Sequence, residues 1–161
     1  MRFAGLVTEH AGRSALGAAA AMALVLLGAT SIASAAADRA VLDLINQQRA
    51  ANGCGALAQR PELVQAAQWH AEDLAVNGWR DNHIGSDGSQ FWQRINAAGY
   101  TGYTFTAENQ AQNYSAEGVV TAWMNSPGHR DNMLNCAFTQ AGVASAWSNG
   151  AMYTVADFTD R

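Results

Sequence analysis

Residues 141–158 read AGVASAW, SNG, AMYTVADF, and this stretch decides the fold. Ala141–Trp147 and Ala151–Phe158 are strand-like runs, joined across Ser148-Asn149-Gly150. Asn-Gly tolerates the positive φ values of a tight hairpin turn, so the spacing predicts an antiparallel hairpin near the C-terminal end. Upstream, Ser115 can cap a helix in which Glu117 suits the helix dipole. Val119, Val120, Trp123 and Met124 give that helix its apolar stripe, and Ser126-Pro127 ends it, with a helical turn to follow at His129 to Leu134. Strand-like sequence runs from Tyr100 to Phe105 and on through Ala107-Glu108-Asn109-Gln110-Ala111.

Before these come helical patterns. One spans about Ser89 to Ala98, with Phe91, Ile95 and Ala98 in line. Another starts at Pro61, suited to a first turn, and runs to Asn77-Gly78 with Leu63, Ala66, Ala67, His70 and Leu74 on one face, which puts His70 on the buried side. The earliest runs from Asp38, an expected N-cap, to Asn52-Gly53. Helices first and strands late predict an α+β domain in which helices cover an antiparallel sheet.

Residues 1–35 are read separately, as a secretory signal peptide. Arg2 and Arg13 make a positive start, an apolar run extends from Ala15 to Ile32, and Ala33-Ser34-Ala35 is a small-x-small site, so cleavage is expected near 35–37. The competing reading is a retained membrane anchor. It is weakened by the Ala and Gly content of the run and by the lack of a basic stop-transfer flank. Residues 38–161 are then expected to form a single domain, secreted or associated with the cell envelope, monomeric and without a stable membrane span. The formal charge is −4, and the leader accounts for +1 of it (Arg2 and Arg13 against Glu9), leaving −5 and no lysine. A nucleic-acid partner is excluded on that charge, because phosphate binding needs clustered cations. Cys54 and Cys136, both in the exported part, are most simply a structural disulfide, with a free nucleophilic thiol as the competing reading.

Two imidazoles, a carboxylate and polar amides gather in three segments of an otherwise sparsely charged chain: Asn82 to Gly88, Ala107 to Ala111, and Trp123 to Arg130. His83, Glu108, Asn109, Ser126 and His129 are the candidate residues of a ligand-binding cleft. His83, His129 and Glu108 are sufficient ligands for Zn²⁺ or another divalent cation with a water in the open position. The plainer readings are a loop histidine before Gly85 and a histidine organising the Ser126-Pro127-Gly128 turn. Glu108 in strand-like sequence needs a partner if it faces inward. Asn109 reads as a brace for its strand. Serine and cysteine hydrolase arrangements are not found: there is no G-x-S-x-G, and Ser126, His129 and Asp131 are too close together for a relay. If there is catalysis, the available machinery is a metal-bound water with Glu108 as base.

The order of these pieces resembles one family. Leu44-Ile45-Asn46 with Arg49, Trp69-His70-Ala71-Glu72-Asp73-Leu74-Ala75, Asn82-His83, Asp87-Gly88, Ala107-Glu108-Asn109, Trp123-Met124, Ser126 to Leu134 and Phe138-Thr139 before Gly142-Val143 are similar to the CAP superfamily. That superfamily comprises cysteine-rich secretory, antigen 5 and pathogenesis-related proteins, and the chain resembles its short bacterial form, the SCP-like domain. The resemblance implies a three-layer α-β-α sandwich with a central antiparallel sheet and a cleft lined by two histidines and two glutamates. His83 and Glu108 match that pattern. Where the family's second glutamate follows a tryptophan by three positions, this chain has Ser126, and His129 stands earlier than the family's second histidine. The resemblance implies a binding module for lipids or sterols, glycans or protein ligands, with a metal-dependent hydrolase or peptidase as the alternative.

Overall fold

The structure is a computed structural model describing residues 34–113 and 115–161. The leader expected over 1–35 falls, up to residue 33, outside the described residues, so its cleavage site is not tested.

The C-terminal hairpin consists of β3 (Gln140–Ser148) and β4 (Ala151–Thr159), paired antiparallel from Gln140↔Thr159 to Ser148↔Ala151. Asn149 and Gly150, at φ 51° and 77°, form its two-residue turn, in the left-handed conformation that Asn and Gly accept most readily. β2 (Thr106–Asn113) adds antiparallel to the other edge of β4. A two-residue strand, β1 (Ala58–Gln59), pairs parallel with β3, giving the order β1-β3-β4-β2. The long strands are antiparallel as expected, and only the short β1 makes the sheet mixed. β4 is buried along its whole length because both faces of the sheet are covered.

Side chains alternate between those faces. Helix α1 (residues 34–51), α4 (Ala116–Asn125) and α5 (Pro127–Leu134) lie on one face. There Val41, Ile45, Trp123 and Met133 pack with Val143 and Phe158. Helix α2 (Pro61–Asn77) and α3 (Phe91–Ala97) cover the other. On that side Ala67, Ala71 and Leu74 meet Ala144, Tyr153 and Val155, while Leu63 and Ala66 meet Ile95 and Tyr100. The result is the expected three-layer α-β-α sandwich. Gly142 lets α2 sit directly on β3: a Cβ there would come within 2.1 Å of the Leu63 carbonyl carbon and the Val64 nitrogen.

Cys54 and Cys136 are disulfide-bonded, with Cα atoms 4.9 Å apart. Beside them, Arg49 of α1 donates to the carbonyls of Gly55 (2.8 Å), Met133 (2.8 Å), Asn135 (2.9 Å) and Phe138 (2.7 Å). Bond and guanidinium together hold the end of α1 against the α5–β3 connection.

Local expectations fail in two places. Asp38 is not an N-cap, because the helix already runs from residue 34, carried by the good helix formers Ala35, Ala36 and Ala37. Its half-buried carboxyl is pushed up to about 6 by burial, an effect that the Ser145 hydroxyl opposes. Tyr100–Phe105 is not strand. Gly99 and Gly102 take φ of 91° and 82°, Tyr100 turns into the core under α2, and the Asp160 carboxylate accepts from the Thr104 and Phe105 amides at 2.8 and 3.2 Å. The start of α4 is as expected, with Ser115 Oγ accepting from the Gly118 amide at 3.1 Å.

Candidate functional site

Strand β2 is an edge strand, and its side chains divide the site between the two faces of the sheet. Glu108 points toward α2 and α3, directly across the ladder from Asp157 of β4. Its side chain is fully buried, and each oxygen has a partner. Oε1 accepts from His83 Nδ1 at 2.9 Å, and Oε2 accepts from Arg94 Nη2 at 2.8 Å. His70 Nε2 lies 3.8 Å from Oε1. Arg94, from α3, also donates to the carbonyls of Ser89 (2.8 Å) and His83 (3.2 Å), so one guanidinium fixes both the carboxylate and the loop that carries the histidine. His83 sits at φ 61°, in a turn where Asn82 Oδ1 accepts from the Ile84 amide at 3.2 Å. That is an unusual backbone state for a non-glycine residue, held here by the contacts around it.

These neighbours set the charge states. Burial alone would raise the Glu108 carboxyl, but the hydrogen bond from His83 and the charge and hydrogen bond of Arg94 outweigh it and hold Glu108 below the usual carboxylate range. Asp157 goes the other way. Complete burial and the facing Glu108 charge push it well above the usual value, so of the two facing carboxyls Glu108 is ionised and Asp157 carries a proton. His70 is fully buried and kept neutral mainly by desolvation. Gln110 donates through its amide nitrogen to the Arg80 carbonyl and turns its oxygen to His70 Nε2 at 3.0 Å. That arrangement places the imidazole proton on Nε2 and leaves Nδ1 as an acceptor.

His129 arrives from the opposite face. Asn109 Nδ2 donates to the His129 carbonyl at 3.0 Å, and Asn132 Nδ2 donates to Asn109 Oδ1 at 2.9 Å, so buried Asn109 braces α5 against β2. The His129 ring thereby meets the His83 ring edge-on, with centroids 6.5 Å apart. Burial, and then the proximity of His83, lower its pKa. Ser126 is the joint between α4 and α5, and its side chain does not cap α5.

The three-ligand metal set expected from the sequence is not assembled. Both Glu108 oxygens are committed to His83 and Arg94, and among the described residues no group of three His, Cys, Asp or Glu side chains is placed to hold an ion. The His83 and His129 rings stand beside each other, centroids 6.5 Å apart. Glu108 orients the first of them by accepting from its Nδ1. His83, Glu108 and His129 are thus brought together, Asn109 acts as a brace, and Ser126 makes no contact that assigns it to the cleft.

Arg94, Asp157 and Gln110 are site residues that the sequence reading missed. Two of them carried a signal. Arg94 stands with Phe91, Ile95 and Ala98 at i, i+3, i+4 and i+7, a cation inside an apolar helix stripe, and Asp157 interrupts the apolar run of the last strand.

Comparison with known proteins agrees with this architecture. The profile of the cysteine-rich secretory protein family (CAP) matches residues 42–158. The Bacillus subtilis protein YkwD is 33% identical over 118 residues, which is 73% of this chain and 45% of that protein. An extracellular SCP-domain protein of Bacillus anthracis superposes with a TM-score of 0.71 at 24% identity, covering 80% of this chain and 41% of that one. An outer surface protein of Borrelia burgdorferi gives a TM-score of 0.66 at 24% identity, covering 74% of this chain and 89% of that one. At these identities the structural likenesses speak to the fold. The chain spans under half the length of both Bacillus proteins. With the matched profile, the sandwich and the His83–Glu108 pair beside its edge strand all in agreement, the chain belongs to the cysteine-rich secretory protein (CAP) family.

Proposed function

We propose that this chain is an exported binding module of the extracellular space or cell envelope, which takes a lipid or sterol, a glycan or a protein ligand at the cleft marked by His83, Glu108 and His129. The observation that carries binding over catalysis is the state of Glu108. A general base works best with a pKa near the operating pH, whereas this carboxylate is held low and has both oxygens engaged. The extracellular and outer-surface descriptions of two structural relatives support the location.

A divalent cation such as Zn²⁺ would be held by His83 and His129, with water or ligand atoms completing its shell. Bound there, it would supply a Lewis-acidic point for an oxygen of the ligand. Calorimetry on chelator-treated protein should show modest affinity at neutral pH, lost as pH falls through the ~6.5 region where imidazole titrates. His83→Ala or His129→Ala should weaken it by at least ~10-fold.

The module reading itself is tested with Glu108→Gln. Because that change strands the buried Arg94 charge, the double variant Glu108→Gln/Arg94→Gln serves beside it. Ligand binding that persists in whichever variant stays folded supports the module. A chelator-sensitive hydrolytic turnover in the native protein, abolished in both variants, would replace it with the metal-dependent hydrolase or peptidase.

A further inference from the structure

Beside Arg94, α2, α3 and the 85–89 turn line a cleft of about 560 Å³. That volume lies within the range of small-molecule sites. Trp69 and Ala97 are the apolar side chains of the lining, and glycine, serine, aspartate and glutamine make up much of the rest. Trp69 leaves 40% of its surface exposed, an indole face available at the wall.

Two of the charges at this wall are already paired, and the third, Asp87, is exposed to solvent at the rim. Asp73 lies 3.6 Å from Arg80, and Arg94 is paired with Glu108. Burial would raise the Asp73 carboxyl, but hydrogen bonds from Ser86 and Asn77 and the Arg80 charge hold it below the usual range. With the inner charges paired and Asp87 hydrated, no charged occupant is called for inside the cleft. Hydrogen-bonding capacity remains at the open wall. His70 Nδ1 and Arg94 Nε have no hydrogen-bond partner among the described residues, but both atoms are sealed beneath the lining, so the groups that face an occupant are those of exposed residues. Asp87 offers a carboxylate acceptor and Gln93 a side-chain amide that can donate and accept. Acceptors and donors side by side suit hydroxyl groups, which do both, and an indole face suits the apolar C–H face of a pyranose ring.

We propose that this cleft binds a neutral, hydroxyl-rich saccharide, with Trp69 stacked against a sugar ring and Asp87 and Gln93 meeting its hydroxyls directly or through one bridging water. The assignment rests on the binding-module reading and names a ligand class for it, at a wall that shares Arg94 with the His83 site.

The test is a titration of the ¹⁵N-labelled protein with cellotetraose, maltotetraose and the tetramer of N-acetylglucosamine, each to ~10 mM. The Trp69 indole resonance is assigned by its absence in Trp69→Phe. Saturable shifts at Trp69 and the 85–89 turn with at least one tetramer are expected. Affinity should fall by at least ~10-fold in Trp69→Ala and less in Trp69→Phe, which keeps an aromatic face. No binding of any tetramer, or binding undiminished in a folded Trp69→Ala, overturns the proposal. A lipid or protein ligand that binds Trp69→Ala normally but fails with His83→Ala would also overturn it while leaving the module intact. Turnover abolished in the Glu108 variants would instead remove the module.

Discussion

Glu108 and Asp157 share one rung of the sheet, buried, with a guanidinium and an imidazole on the Glu108 side. Only one of the pair carries charge, and Asp157 holds the proton. An unfolded aspartate loses its proton near 3.8, whereas in the folded chain Asp157 keeps it to well above that value. Across that window the folded state binds the extra proton, so this residue's contribution to stability falls as pH rises. Asp157→Asn replaces a protonated carboxyl with a neutral group of the same shape. It is expected to stabilise the protein at neutral pH and to flatten the decline in melting temperature above the unfolded pKa. Parallel melting-temperature curves against pH for variant and native protein would mean that Asp157 is ionised after all.

At the scale of elements, the sandwich is joined by a few long-range polar contacts as well as by its apolar layers. Arg49 is the clearest: it is 1% exposed and links α1 to four carbonyls on the 54–57 loop and the α5–β3 connection. Arg49→Met keeps an unbranched chain but leaves those carbonyls without their donor, and should cost ~3–5 kcal/mol in denaturant unfolding. Arg49→Lys retains the charge and loses the planar fork, so it should recover only part of that loss. Native stability in the lysine variant would show that charge alone matters there. Arg94 plays the matching part on the other face, connecting α3, the His83 loop and β2.

For the whole molecule, the Cys54–Cys136 bond closes a loop with a sequence separation of 82, drawing together the end of α1 and the approach to β3. Restricting an unfolded chain over that span is worth about 4–5 kcal/mol. The paired change Cys54→Ser/Cys136→Ser should lower the melting temperature strongly, and reduction of the native protein should reproduce the effect. An unchanged melt, or two alkylatable thiols on the native protein, would show that the bond contributes nothing there. Because Arg49 binds the same connection, combining its substitution with loss of the disulfide should give a non-additive result.

Sequence by itself determined the features that rest on neighbours along the chain. Asn149-Gly150 dictated the hairpin, Ser115 the start of α4, and the 3.6-residue stripe of α2 its buried face with His70 on it. The same local reading, joined to the order of the motifs, identified the fold and put His83 and Glu108 in one candidate site, without fixing which histidine pairs with the carboxylate. It misread Tyr100–Phe105 because an extended pattern there is overridden by glycines at positive φ and by the Asp160 carboxylate, more than fifty residues away. Only the tertiary structure decided the charge state of the site. Arg94 lies 14 residues from Glu108 and Asp157 faces it from another strand. Periodicity identifies the face on which a side chain lies, whereas its ionisation depends on what the packing of three elements brings within a few ångströms.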